Sequence, residues 1–409
     1  MDKLSLKPGV ILVTDAGLGS AITLIRSLGR RGWRVVAADA DPDSLGFRSR
    51  YASSCLVYPS PATSPAEFVQ VLCAYVSEQN VKLVIPVTDS AILPLAEQRE
   101  RFIGIQLAIP EPDALQTVTD KMQTLELAQR VGVPIPQTCL VYTSQEALEA
   151  VKQFSWPVVL KPMRSRVYRQ AAGIEAFTVT YADGAGLLKE KMQLFEGRCP
   201  VLLQEYYAGV GQGVELLMNH GRPLAAFQHR RLREIPIHGG ASAFRESVAV
   251  DPQLYAYATV LLAELNWTGL AMVEFKVGEA GPKLMEINGR VWGSIPLAVY
   301  SGIDFPALLA DLYLSPFDEN GKYVLKEYAT GIRARNLDLD MLWILSVLRG
   351  KQRYPFFDIP PRSQALKALA QLFHPKYRFD MQTWDDPQPG LAELPKIFRK
   401  LGRKIWSAG

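Results

Sequence analysis

Residues 269–292 read GLAMVEFKVGEAGPKLMEINGRVW, Gly269 to Trp292. Two runs of alternating apolar and polar residues flank a turn-forming GEAGP, the signature of a β-hairpin. Centring the pair on Ala280 places Glu274 opposite Glu286 and Met272 opposite Asn288. Glu274, Glu286 and Asn288 then share one face, while Val273, Phe275, Met285 and Ile287 fill the other. Two carboxylates directly opposite each other destabilise a hairpin unless something positive sits between them. Oxygen ligands with no His or Cys in the stretch suit a hard cation such as Mg²⁺, with Mn²⁺ as the alternative, and disfavour zinc. The plainer reading is a hydrated strand face paired with Lys276. The matched second glutamate and the adjacent Arg290 favour the metal.

The rest of the chain bounds what surrounds that hairpin. Its 409 residues suffice for two or three domains. Hydrophobic residues make up 48% and the chain holds 30 Gly and 28 Pro, an ordinary globular composition. Cys55, Cys73, Cys139 and Cys199 are scattered without paired spacing, which argues against a zinc site or a disulfide frame and suits a reducing cytosol. No secretory pattern and no long apolar window stand out, so a cytoplasmic protein is expected. The net charge of +4 is uneven: residues 331–409 carry 14 Lys and Arg against 7 Asp and Glu, and the remainder 31 against 34. That balance excludes a nucleic-acid binder by charge.

The first hundred residues alternate strand and helix, implying a parallel sheet covered on both faces. Gly17 and Gly19 open a strand-to-helix turn, but the dinucleotide fingerprint needs a third glycine where Ile22 stands. Asp39 and Asp41 read as turn residues. After Pro110 and Pro112 come a helix over Lys121–Arg130 and a small α/β unit over 139–203, with strands in PVVLKP, near Ala176–Thr180, and in VLLQEYY. From Val214 the pattern turns antiparallel. Asp251-Pro252 reads as a helix N-cap with proline in the first turn.

The set Glu274, Glu286, Asn288 and Arg290, within MEINGRVWGS followed by LAVYSGIDFP, resembles the ATP-grasp superfamily. It is similar above all to the carboxylate–amine ligases and predicted ATP-dependent carboligases that include D-aspartate ligase. The resemblance spans roughly residues 10–315. It implies an α/β and α+β ATP-grasp fold: a Rossmann-like domain over 1–115, a lid over 116–203, a larger antiparallel metal and nucleotide subdomain over 204–330, and a basic extension over 331–409. It implies ATP bound by Lys121 in TDKMQ, Lys161 in PVVLKP, and the hinge QEYY (Gln204, Glu205, Tyr206 and Tyr207). Metal ions would sit on Glu274, Glu286 and Asn288, and Arg290 would steady the transferring phosphoryl group.

The residues support both lysines. Thr119 or Asp120 caps the helix, so Lys121 falls in a first turn where a cation wants an anion nearby. Lys161 ends an apolar strand before a proline and needs a partner if buried. Glu215 is left open between the nucleotide and solvent. The lid loop MRSRVYRQAAGI departs from the family's Gly-rich pattern, offering Arg164, Arg166 and Arg169 with Gly173 alone. Those arginines hold phosphates or an acidic substrate.

On the acceptor side, HRRLREIPIHGGASAF (His229 to Phe244) offers Arg230, Arg233 and His238, with Gly239, Gly240 and Ser242 forming an anion nest. Arg230, Arg231 and Arg233 alternate faces, so only some point inward. In LPKIFRKLGRKIW, apolar Leu394, Ile397, Phe398, Leu401 and Ile405 oppose Lys396, Arg399, Lys400, Arg403 and Lys404. Such a helix fits an anionic membrane surface or, more commonly, docks on its own protein. The chemistry implied is ATP-dependent joining of a small-molecule carboxylate to an amine through an acyl phosphate. An ATP-grasp carboxylase using bicarbonate, a nucleotide-dependent oxidoreductase on the N-terminal sheet, and a non-catalytic nucleotide sensor are the alternatives.

Overall fold

The computed structural model describes residues 9–163, 166–169, 173–315, 327–350 and 354–406, with the backbone alone for 166–169, 173–176 and 404–406. The N-terminal strands are β1 (Val10–Val13), β2 (Arg34–Asp39), β3 (Ser54–Val57), β4 (Val81–Ile85) and β5 (Gln106–Leu107). They form one parallel sheet in the order β3-β2-β1-β4-β5. Its centre is buried on both faces: all four residues of β1 are inaccessible or nearly so. The helix Gly19–Arg30 packs alongside with Ile22 fully buried. The turn before it is closed by the protein itself. Asp39 accepts from the Gly17 amide at 2.6 Å and from Ser44 Oγ at 2.8 Å, filling the place where a dinucleotide phosphate would need open amides.

The middle strands are β6 (Thr138–Val141), β7 (Val158–Pro162), β8 (Arg166–Arg169), β9 (Gly173–Ala176), β10 (Thr180–Ala182) and β11 (Val201–Glu205). Four make an antiparallel sheet in the order β10-β7-β11-β6, and β8 pairs with β9 as a separate hairpin. The strand expected near Ala176–Thr180 is instead two, with 177–179 between β9 and β10. Arg164 lies outside the described residues, as do the side chains of Arg166 and Arg169.

The remaining strands are β12 (Val210–Asn219), β13 (Arg222–Ile235), β14 (Ala241–Val248), β15 (Gly269–Gly278), β16 (Gly281–Asn288), β17 (Arg333–Arg335) and β18 (Arg378–Phe379). They build a seven-stranded sheet in the order β16-β15-β12-β13-β14-β17-β18. The helix Pro252–Glu264 covers it, capped by the Asp251 carboxylate, which accepts from the amides of Gln253 and Leu254.

Residues 331–409 are not an appendage to this architecture. They add β17 and β18 to the large sheet, and buried ion pairs fasten them. Arg245 reaches Asp380 at 2.5 Å, and Asp340 takes Arg233 at 2.7 Å and Arg335 at 2.8 Å. The helix Pro387–Trp406 docks on the protein, burying Ile397 and pairing Lys400 with Asp338 at 2.5 Å, while Phe398 stays exposed. Among the described residues no single helix is long and apolar enough to cross a membrane.

Candidate functional site: an acidic hairpin facing lid lysines

Between the four-stranded sheet, where the sequence places a lid, and the seven-stranded sheet lies a cavity of about 650 Å³, lined in part by Lys161, Gln204, Glu274, Glu286, Asn288 and Arg290. The β15–β16 hairpin forms its floor. Glu274 pairs with Glu286 and Met272 with Asn288. The route to that register differs from simple alternation. A two-residue loop, Glu279–Ala280, joins Gly278 to Gly281, and a bulge on β16 shifts the ladder so that Phe275 faces Leu284. Leu284 is therefore fully buried, whereas Met285, expected in the core, is half-buried and lines the cavity.

Asn288 Nδ2 donates to Glu274 Oε1 at 3.0 Å and to Glu286 Oε1 at 3.3 Å. Burial raises the Glu274 carboxyl above its usual range. Burial pushes Glu286 the same way, but Lys121, Lys161 and Arg231 together outweigh it and hold Glu286 below the usual range. The donors here are carboxylate and amide groups without nitrogen or sulfur ligands, a set that fits a hard divalent cation. Arg231 Nη2, 2.5 Å from Glu274 Oε2, supplies positive charge beside the pair.

The lid side is basic. Lys161 on β7 has no ion-pair partner among the described residues, and burial lowers its pKa to about 8. Lys121 begins its helix under an Asp120 cap, whose carboxylate accepts from Met122 at 3.0 Å and Gln123 at 3.2 Å. Its backbone amide donates to Met163 O, tying it to the end of β7. In the hinge, Gln204 is buried and donates to Thr138 Oγ1 at 2.8 Å. Glu205 accepts from the Gln137 amide at 3.0 Å and pairs with Lys283. Tyr206 and Tyr207 line the cavity, and Tyr207 Oη donates to Gly281 O at 2.6 Å.

Arg290 lies past the end of β16 and reaches both the cavity and the N-terminal domain, where Nε donates to Asp89 at 3.1 Å. Of the acceptor loop, His238, Gly239, Gly240 and Ser242 line the cavity. Arg230 and Arg233 do not. Arg230 turns away to Glu246 at 2.7 Å, and Arg233 points into the C-terminal region, held by Asp340. A bulge at Leu232 breaks the alternation, pairing Arg231 with Arg245 and Arg233 with Phe244. Arg231 is the arginine that enters the cavity, braced by Glu234 and Gly240 O, each at 3.0 Å.

Lys276, which sequence reasoning weighed only as a partner of the acidic strand face, lines the cavity 5.0 Å from the Tyr206 ring and is held below the usual lysine range by burial. Its place two residues after Glu274 on an alternating strand was the available signal. Glu215, left open from sequence, is fully buried: Ser294 Oγ donates to it at 2.9 Å and His229 Nδ1 lies 2.9 Å away.

A sequence profile described as "ATP-grasp in the biosynthetic pathway with Ter operon" matches residues 198–338. The fold has solved counterparts. The biotin carboxylase domain of a 2-oxoglutarate carboxylase from Hydrogenobacter thermophilus, determined with MgADP, ADP and bicarbonate, superposes with a TM-score of 0.60 at 17% identity, over 79% of this chain and 73% of that one. An L-amino acid ligase from Bacillus licheniformis does so with a TM-score of 0.59 at 16% identity, over 78% of each. The chain has the fold of the ATP-grasp superfamily. In sequence, the chain is also 23% identical over 281 residues to the carbamoyl phosphate synthase large chain of Xylella fastidiosa, covering 65% of this chain and 24% of that one. It thus spans about a quarter of the length of such relatives.

Proposed function

We propose that this chain is an ATP-dependent ligase that joins a carboxylate to an amine. The observation that carries this reading is the pairing of Glu274 with Glu286 across the hairpin, facing Lys161, a cavity-lining lysine with no ion-pair partner among the described residues. Buried charges of both signs arranged around a cavity need a ligand carrying the complementary charges. A nucleotide triphosphate with a divalent ion does so, its phosphates toward Lys161 and Lys121 and its cation toward the acidic pair. Glu274, Glu286 and Asn288 would hold Mg²⁺, which when bound neutralises phosphate charge. The hinge Gln204–Tyr207 would meet the base and ribose.

In the first step a carboxylate oxygen of the acid attacks the γ-phosphorus and the bond to the ADP oxygen breaks, leaving an acyl phosphate. Lys161 and Lys121 offset the charge that moves onto the leaving diphosphate. In the second, the amine nitrogen attacks the acyl carbon, phosphate departs with the C–O bond's electrons, and the nitrogen loses its proton to water or phosphate. Arg290, oriented by Asp89, and Arg231, braced by Glu234, line the cavity and would supply positive charge to these groups. The amino acid ligase with the same fold supports amide formation. The bicarbonate bound in the biotin carboxylase domain supports a second reading, carboxylation, which uses the same nucleotide site.

Phosphate release from ATP across a panel of carboxylates and amines decides between them. Release that needs Mg²⁺, an acid and an amine together supports the ligase. Release driven by bicarbonate without any other acid supports the carboxylase and overturns the ligase.

A further inference from the structure

We propose that Tyr354 and Phe357, in the C-terminal region, are positioning residues that hold the lid over the nucleotide; this rests on the nucleotide reading of the cavity above. Among the described residues β10 is an edge strand of the lid, paired with β7 alone, and no β-ladder ties its outer side to the large sheet. An aromatic cluster does so instead. Tyr181, on β10 opposite Val159, meets Tyr354 edge-on at 5.1 Å and Phe357 edge-on at 5.2 Å. Phe357 continues to the hinge, 4.7 Å from Tyr206, and to the acceptor loop, stacked on His238 at 4.6 Å. Tyr354 itself lines the cavity and meets His238 at 5.1 Å.

Three parts that must close on one nucleotide thus converge on two side chains: lid strand, hinge and acceptor loop. Both lie beyond residues 198–338, the span that the sequence profile matches. Edge-to-face ring pairs favour one relative placement, so the cluster fixes the lid's angle as well as filling space. Removing the rings leaves Glu274 and Glu286 in place but loosens the lid that carries Lys161 over the phosphates.

The test is direct binding of a fluorescent N-methylanthraniloyl ATP with Mg²⁺ to the full chain, comparing Tyr354→Ala, Phe357→Ala and the double variant. The account expects about tenfold or more weaker binding in the double variant, through faster release. It expects kcat at saturating ATP within about threefold of the parent. Phe357→Tyr and Tyr354→Phe, which keep the rings, should restore the affinity, and they keep the test valid if the alanine variants fold poorly. Parental nucleotide affinity in a folded double variant overturns the proposal, as does a fall in kcat with nucleotide affinity unmoved. Failure of the parent protein to bind the analogue at all would instead overturn the nucleotide reading beneath it.

Discussion

Binding of ATP should draw a proton from solution, and Lys161 sets how much. Burial lowers this lysine to about 8, with Glu286 acting the other way and Lys121 and Lys276 adding to the drop. Phosphates placed beside it favour the charged form, so its pKa climbs on binding. A group whose pKa rises takes up protons, and affinity falls as pH climbs through the lower of its two values. With a value of about 8 in the free protein, roughly a tenth of a proton is taken up at pH 7, about half at pH 8 and about nine-tenths at pH 9. Above pH 8 affinity should then drop by up to about tenfold per pH unit. Calorimetric titration of Mg·ATP in buffers of different ionisation enthalpy reads this uptake directly. Lys161→Arg keeps the charge but does not titrate below pH 12, so it should lose most of the uptake and flatten the affinity profile. Lys276, also lowered by burial, accounts for any remainder. An absence of uptake at pH 8 in the parent, or equal uptake in Lys161→Arg, refutes the reasoning.

Two further predictions concern the C-terminal region. Asp340 is fully buried between Arg233 and Arg335, so Asp340→Ala leaves two guanidiniums without their carboxylate and should cost about 3–5 kcal/mol in urea denaturation. A loss under about 1 kcal/mol would mean that these residues are not part of the cooperative fold. Glu393 is raised by burial to about 7 from 4.5, so the folded state binds its proton more tightly than the unfolded state. Stability therefore falls as pH rises from about 4.5 to 7 and stays reduced above. Glu393→Gln should be more stable than the parent at pH 8, by up to about 3 kcal/mol, and not at pH 4; equal gains at both values would contradict this.

Much of the fold was legible because its signals are local. Gly269–Trp292 carried its strand period in plain alternation, and the pairing of Glu274 with Glu286 survives in the structure. It does so through two offsetting departures, a shorter loop and a bulge at Met285, neither of which alternation reveals. The same kind of departure misdirected the acceptor strand. Alternation turns Arg231 inward and Arg230 outward, and one extra residue at Leu232 then takes Arg233 off the face of Arg231. A run of three arginines separated by one leucine gives no hint of where a bulge falls. Partners distant in sequence were equally hidden: Asp89 on Arg290, Asp340 on Arg233, and the Tyr354–Phe357 rings against the lid. These depend on how sheets stack, which composition and period do not encode. The C-terminal region looked like a basic addition because its charge is distinct, yet its buried Arg335, Asp340 and Asp380 are internal fasteners.

The central claim is that two facing carboxylates and a lid lysine bind ATP through a divalent ion. Equilibrium titration of ATP, with and without Mg²⁺, in the parent and in Glu286→Gln tests it most directly. The account predicts tight uptake that requires Mg²⁺ in the parent and is lost in a folded Glu286→Gln. Binding of ATP that ignores both Mg²⁺ and the substitution would contradict it.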